Sequence, residues 1–214
     1  MTGQRLRFFE KSLGQRHIVE SDKHLYKSPK ASHNLVVIGT GTMGQEHMYV
    51  ATLLGRARVH GIYDSHAHSM DIAEDNFKRY CSDPLVRYGS LQAACMDPDI
   101  NAIMICTPNH THFDIVSVAM ETDKPIFLEK PMATSIEDAR GIFDACEGYE
   151  AFVQLGLQYR YKSQYVEALN ELKQRKSLGS LKTISLSEHR PPFLDKVDQC
   201  CLLYTSPSPR DNKA

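Results

Sequence analysis

The chain has 214 residues, 42% of them hydrophobic and 24% charged. That composition excludes a fully disordered chain, a collagen-like fibre and a coiled coil. With 25 basic and 26 acidic residues the net charge is −1, which singles out neither nucleic acid nor a membrane surface as partner. The longest apolar runs are a few residues, against about twenty for a membrane-spanning helix. The polar, charged N-terminus lacks the apolar core of a signal peptide. Six cysteines, at 81, 95, 106, 146, 200 and 201, form no Cys-x-x-Cys pair. They read as buried thiols in a reducing compartment, which points to a cytoplasmic location.

Residues 1–33 are polar and aperiodic and read as a flexible extension. The β-branched run Leu35–Ile38 reads as a buried strand. It leads into Gly39-Thr40-Gly41-Thr42-Met43-Gly44, and a helix is expected over Gln45–Leu54. A second strand, Arg58–Tyr63, ends at Asp64. Ser65 is the expected cap of a helix reaching Tyr80. A short helix over Ser90–Met96 precedes the strand Ala102–Cys106, which stops at Thr107-Pro108-Asn109. His110–Thr122 reads as a helix with Phe113, Val116, Ala119 and Met120 on its apolar face. The strand Pro125–Leu128 ends in Glu129-Lys130-Pro131. A helix from Ser135 to Glu147 and a strand over Ala151–Leu157 follow. Alternating strands and helices predict a doubly wound, mostly parallel α/β Rossmann sheet over 34–157. An amphipathic helix over Ser163–Lys176, a stop at Gly179 and the alternation Leu181–His189 then suggest a half-solvated antiparallel strand. Residues 158–199 are thus expected to begin a second, α+β domain and leave it incomplete.

Gly39, Gly41 and Gly44 form G-x-G-x-x-G between a strand and a helix. The first glycine permits the tight turn, the second lets a pyrophosphate approach the backbone, and the third lets helix and sheet pack closely. The free N–H groups of the helix then face the phosphates. Asp64 lies at the end of the second strand, where a carboxylate holds the ribose hydroxyls and repels a 2′-phosphate. The expected cofactor is therefore NAD rather than NADP. An ordinary turn or another Rossmann ligand, such as S-adenosylmethionine, remains the alternative at this point. Thr107-Pro108-Asn109 and Glu129-Lys130-Pro131 both fall at carboxyl ends of parallel strands, the ligand-binding edge of such sheets. A lysine there can donate to a substrate hydroxyl or carbonyl and share in proton transfer. A cis peptide before Pro131 is expected to aim it.

Gly-Thr-Gly-Thr-Met-Gly, Thr-Pro-Asn-His-Thr-His, Glu-Lys-Pro-Met-Ala and Gly-Leu-Gln-Tyr-Arg-Tyr occur in that order. Over residues 34–199 this set resembles the glucose–fructose oxidoreductase / inositol dehydrogenase / MocA family. The resemblance implies an NAD(P)-dependent oxidoreductase acting on a sugar or polyol, with a homo-oligomeric parent protein. It implies that Lys130 meets the reacting carbinol. The implied cofactor contacts are Gly39 to Gly44, Asp64, Thr107, Pro108, Asn109, His112, Glu129, Lys130, Gln158 and Arg160. A non-catalytic NAD(P)-sensing regulator of the same fold is the competing reading. The pairs His66/His68 and His110/His112 point apart on helices, and nothing completes a ligand set, so no metal is expected. The family's second domain normally supplies an Asp and a His, and no such pattern follows Gln199. The eleven residues Cys201–Asp211 can be back-translated into a sequence that resembles a transposase adapter of sequencing libraries, the alternative being a natural Ser-Pro-rich tail. Residues 200–214 are thus expected to be non-native, and the chain by itself is expected to be inactive and prone to aggregate.

Overall fold

A computed structural model describes residues 31–176, with 179, 180, 182, 183, 185 and 187. Its strands are β1 (His33–Ile38), β2 (Ala57–Tyr63), β3 (Val86–Arg87), β4 (Ala102–Ile105), β5 (Ile126–Leu128) and β6 (Val153–Leu155). They form one sheet in the order β3-β2-β1-β4-β5-β6, and every pairing is parallel. This is the doubly wound arrangement with its switch point between β1 and β4. The helices are α1 (Thr42–Leu54), α2 (Ala67–Phe77), α3 (Leu91–Met96), α4 (His112–Ala119), α5 (Ile136–Cys146) and α6 (Ser163–Asn170).

Successive strand residues face opposite sides of the sheet, and the core divides accordingly. Val36, Ile38, Ile105 and Leu128 pack with Val116 of α4 and Ile142 of α5. Val37 packs on the other side with Met48 of α1, Ile62 of β2 and Phe77 of α2. Local chemistry sets several helix starts. Ser90 caps α3 by accepting from the Ala93 amide at 3.1 Å, and Ser135 caps α5 by accepting from Asp138 at 3.0 Å. A groove lined by Leu35, Met104, Phe127, Phe152 and Gln154 opens on the sheet face toward the amino ends of the strands. It contains no ionisable side chain and lies away from the carboxyl edge.

Four local expectations change. His66, not Ser65, occupies the N-cap position of α2 without a side-chain capping bond, and the Asp64 carboxylate accepts its amide at 2.9 Å. That helix ends at Phe77 rather than Tyr80. The segment 110–122 splits into a 3₁₀ turn (Asn109–Thr111), α4 and a second 3₁₀ turn. After α6 the chain continues as a π-helical turn, Glu171–Arg175, stopped by Lys176 at φ 51° before Gly179 is reached. Strand β3 was not anticipated. The described part of 181–189, residues 182, 183, 185 and 187, is not in a strand. The expectations for residues 1–30, the rest of 181–189 and 200–214 lie outside the described residues.

A lysine joins the helical layer to β5. Lys124 Nζ donates to the Cys95 and Asp97 carbonyls at 2.6 Å each, which satisfies the C-terminal end of α3. Burial pushes its amine below the ordinary lysine range, against the opposing pull of Asp97. The Tyr88 hydroxyl donates to Asp97 at 2.6 Å, and the Tyr149 hydroxyl donates to the Lys124 carbonyl. Lys124→Met removes two charge-assisted bonds and is expected to cost about 1–3 kcal/mol, read as a lower urea midpoint. An unchanged midpoint would show the contact to be inert.

Candidate cofactor-binding and catalytic site

Hydrogen bonds at the strand ends set the site out in a row. The Gly39 amide donates to the Tyr63 carbonyl, Cys106 to Ile38, Glu129 to Ile105 and Gly156 to Leu128, all at 2.8–2.9 Å. Each bond carries the sheet ladder slightly past the strands. The glycine loop, Thr107, Lys130 and Gln158 are thereby brought to one edge.

The glycines divide the work as their chemistry requires. Gly39 has φ +90°, and a Cβ there would lie 2.7 Å from the Thr107 nitrogen. A Cβ on Gly44 would lie 2.0 Å from the Gly39 carbonyl oxygen. At Gly41 a Cβ would meet nothing within 4 Å. The open space is thus at the first residue of the loop–helix junction, where a diphosphate reaches the backbone. Thr40 is buried, and its amide donates to Asp64 Oδ2 at 2.8 Å. Gln45 donates to the Thr40 carbonyl, and Asn76 donates to Gln45. The Asp64 carboxylate is therefore held by the loop on one oxygen and by the start of α2 on the other. Thr42 and Met43 lie exposed on the first turn of α1. The open cradle and the fixed carboxylate fit a dinucleotide.

Thr107, Pro108 and Asn109 lie half-buried between β4 and the 3₁₀ turn. The Thr111 hydroxyl lies 2.9 Å from that of Thr107 and 2.8 Å from the Pro108 carbonyl, which closes the turn. Lys130 is exposed, and its peptide bond to Pro131 is cis, as expected. Gln158 and Arg160 are exposed on a 3₁₀ turn that follows β6.

Two residues sit differently from the positions expected of them. His112 is fully buried beneath the edge. Its Nδ1 is 3.0 Å from the Pro131 carbonyl and 3.2 Å from that of Met132, while Nε2 is 3.0 Å from the Thr107 carbonyl. It braces the β4 and β5 loops and presents no nitrogen to a ligand. The 3₁₀ turn rotates the chain so that His110 is exposed and His112 points inward. Glu129 also turns under the edge. It is 8% exposed, with Oε1 on His47 Nε2 at 2.8 Å and Oε2 accepting the Lys130 amide at 2.9 Å. His47 went unnoticed in the sequence. It lies three residues past the last loop glycine and 82 residues from its partner.

Burial alone would raise the Glu129 carboxyl. The His47 bond, the Lys130 amide and the charges of those two residues outweigh it and hold the group below its ordinary 4.5. The thiols move the other way: burial pushes Cys95 up to about 11 and raises Cys106 as well, so neither is poised as a nucleophile. Among the described residues no group of three potential metal ligands occurs, and no helix is long and apolar enough to cross a membrane.

Sheet order, glycine loop, strand-end acid and strand-end lysine together define a dinucleotide-binding Rossmann domain. Residues 33–157 match an oxidoreductase family with an NAD-binding Rossmann fold, the glucose–fructose oxidoreductase / inositol dehydrogenase / MocA family, and the chain belongs to it. It is 34% identical over 135 residues to an inositol 2-dehydrogenase of Paracoccus denitrificans, covering 61% of this chain and 38% of that one. It is 31% identical over 157 residues to an inositol 2-dehydrogenase/D-chiro-inositol 3-dehydrogenase of Lacticaseibacillus casei, covering 72% and 44%. The structure of myo-inositol dehydrogenase from Lactobacillus casei with NAD(H) and myo-inositol superposes with a TM-score of 0.63 at 30% identity, covering 69% of this chain and 43% of that one. The chain thus spans less than half the length of these relatives.

Two glycine variants separate packing from binding. Gly44→Ala drives a methyl into the Gly39 carbonyl and is expected to cost about 3 kcal/mol in chemical denaturation. Gly41→Ala, at φ −65°, is expected to leave stability within about 0.5 kcal/mol yet weaken NADH binding at least about tenfold by fluorescence titration. The Glu129 shift has a definite sign: a carboxyl lowered on folding stabilises the fold above its unfolded value, and that contribution is lost as pH falls through the folded value. Between pH 7 and about 3, the native chain should lose more stability than Glu129→Gln. Parallel pH curves would exclude the coupling.

Proposed function

We propose that the complete protein is an NAD-dependent dehydrogenase of a cyclitol or sugar, moving a hydride between a carbinol carbon and the cofactor. The observation that carries this reading is Lys130. It is exposed at the carboxyl edge beside Thr107–Asn109, on a backbone fixed by a buried carboxylate. Likeness to inositol dehydrogenases at about a third identity supports the substrate class.

When bound, NAD supplies the hydride acceptor. The chain's own residues do the rest. The N–H groups at the start of α1 take the diphosphate. Asp64, pre-set by Thr40, takes the ribose hydroxyls and disfavours an added 2′-phosphate. Thr107 to Asn109 border the nicotinamide side, with Gln158 and Arg160 near the substrate entrance. The Lys130 amine donates to the substrate oxygen and shares in moving its proton as carbinol and carbonyl interconvert.

In the full-length protein, Lys130→Ala is expected to lower kcat by about a hundredfold and leave NADH affinity nearly unchanged. Undiminished turnover would remove the lysine from the chemistry. Asp64→Asn keeps an oxygen for the Thr40 amide while removing the charge. Its preference for NADH over NADPH should fall by about tenfold or more. A preference that stays put would place cofactor discrimination elsewhere.

A further inference from the structure

Neither the cofactor loop nor the lysine explains His47. It lies in the second turn of α1, half-buried, with its ring edge-on to Phe127 at 5.1 Å between centroids. Its Nε2 meets Glu129 Oε1 at 2.8 Å. That carboxylate is confined on three sides. His47 holds one oxygen, the Lys130 amide holds the other, and a Cβ placed on Gly156 would come within 3.2 Å of Oε1. A buried carboxylate keeps its place only while its donors are present. Without His47, the oxygen it serves would turn toward water and pull on the bond to Lys130.

We propose that His47 is a positioning residue for Lys130, acting through Glu129. The imidazole donates from Nε2 to one carboxylate oxygen, and the other oxygen receives the Lys130 N–H. The backbone from which the amine projects is fixed in this way. The same pair ties the helix that opens the glycine loop to the strand end that carries the lysine. The inference rests on reading Lys130 as the group that meets substrate, but its main test does not require turnover.

The experiment uses the full-length protein and three variants. His47→Phe keeps the ring against Phe127 and removes the donor. His47→Gln restores an N–H donor at nearly the same reach. Glu129→Gln removes the charge without changing the shape. Lys130 is labelled with limiting acetic anhydride at fixed pH and quantified by peptide mass spectrometry against the exposed Lys78 and Lys173. His47→Phe and Glu129→Gln each weaken the charge-assisted hold on the Lys130 backbone and are expected to change the Lys130 labelling ratio by about threefold or more, and His47→Gln should return it most of the way. Ratios unchanged in both variants, with thermal melting intact, would overturn the proposal. Should His47→Phe fail to fold, the isosteric Glu129→Gln carries the same test. Turnover separates the two readings: His47→Phe should lower kcat about tenfold with the KM for NAD little moved. If Lys130→Ala leaves kcat intact, the catalytic reading of the lysine falls while the labelling result still judges the positioning. If Lys130→Ala abolishes turnover and His47→Phe changes neither labelling nor kcat, the positioning role falls alone.

Discussion

A methyl group on Gly44 would sit 2.0 Å from the Gly39 carbonyl oxygen. Helix α1 can lie that close to the end of β1 only because the methyl is missing, and the rest of the site follows from this closeness. It brings the first N–H groups of the helix to the sheet edge. It brings Thr40 within reach of Asp64. It also places His47, one turn further along, over Phe127 of β5 and Glu129 just past it, two strands away from β1. A helix held a few ångströms further out would still cover its side of the core but would lose all three contacts.

What could be read in the sequence was mainly what is decided locally. The glycine loop and the helix starts at Ser90 and Ser135 are decided within a few residues, Asp64 is legible from its place at the end of the second strand, and the strands of the sheet centre are continuous apolar runs. Strand β3 escaped because two exposed residues, Val86 and Arg87, carry no alternation to detect. The start of α2 lies one residue later than expected, where the Asp64 carboxylate accepts the His66 amide and the Ser65 hydroxyl meets the His66 ring instead of the helix backbone. His112 was expected among the cofactor contacts, but the 3₁₀ turn ahead of α4 leaves it fully buried with both ring nitrogens on backbone carbonyls. The His47–Glu129 bond spans 82 positions, and no local pattern announces a contact made only when two βα units pack together.

Most of the polar groups beneath the edge are spent on the protein itself. His112 braces two loops, Glu129 serves a histidine and a backbone amide, and Asp64 serves a threonine and the start of a helix. This is the form expected of a preorganised site, where reacting groups rest on a layer that is already satisfied. The buried thiols fit the same picture, since burial holds them protonated and unreactive.

Lys130 combines a locked backbone with an exposed side chain. Its four side-chain torsions are free to search while their origin stays put. Fixing such a side chain costs about 1.5–2 kcal/mol in rotamer entropy, so a ligand or covering segment that orders the amine must offset that amount. Discrimination between substrates can then reside in the cover that orders the lysine, while the edge beneath serves any of them. On the dehydrogenase reading proposed above, a change of that cover alone would alter which substrate is accepted, with the residues from Gly39 to Lys130 left alone.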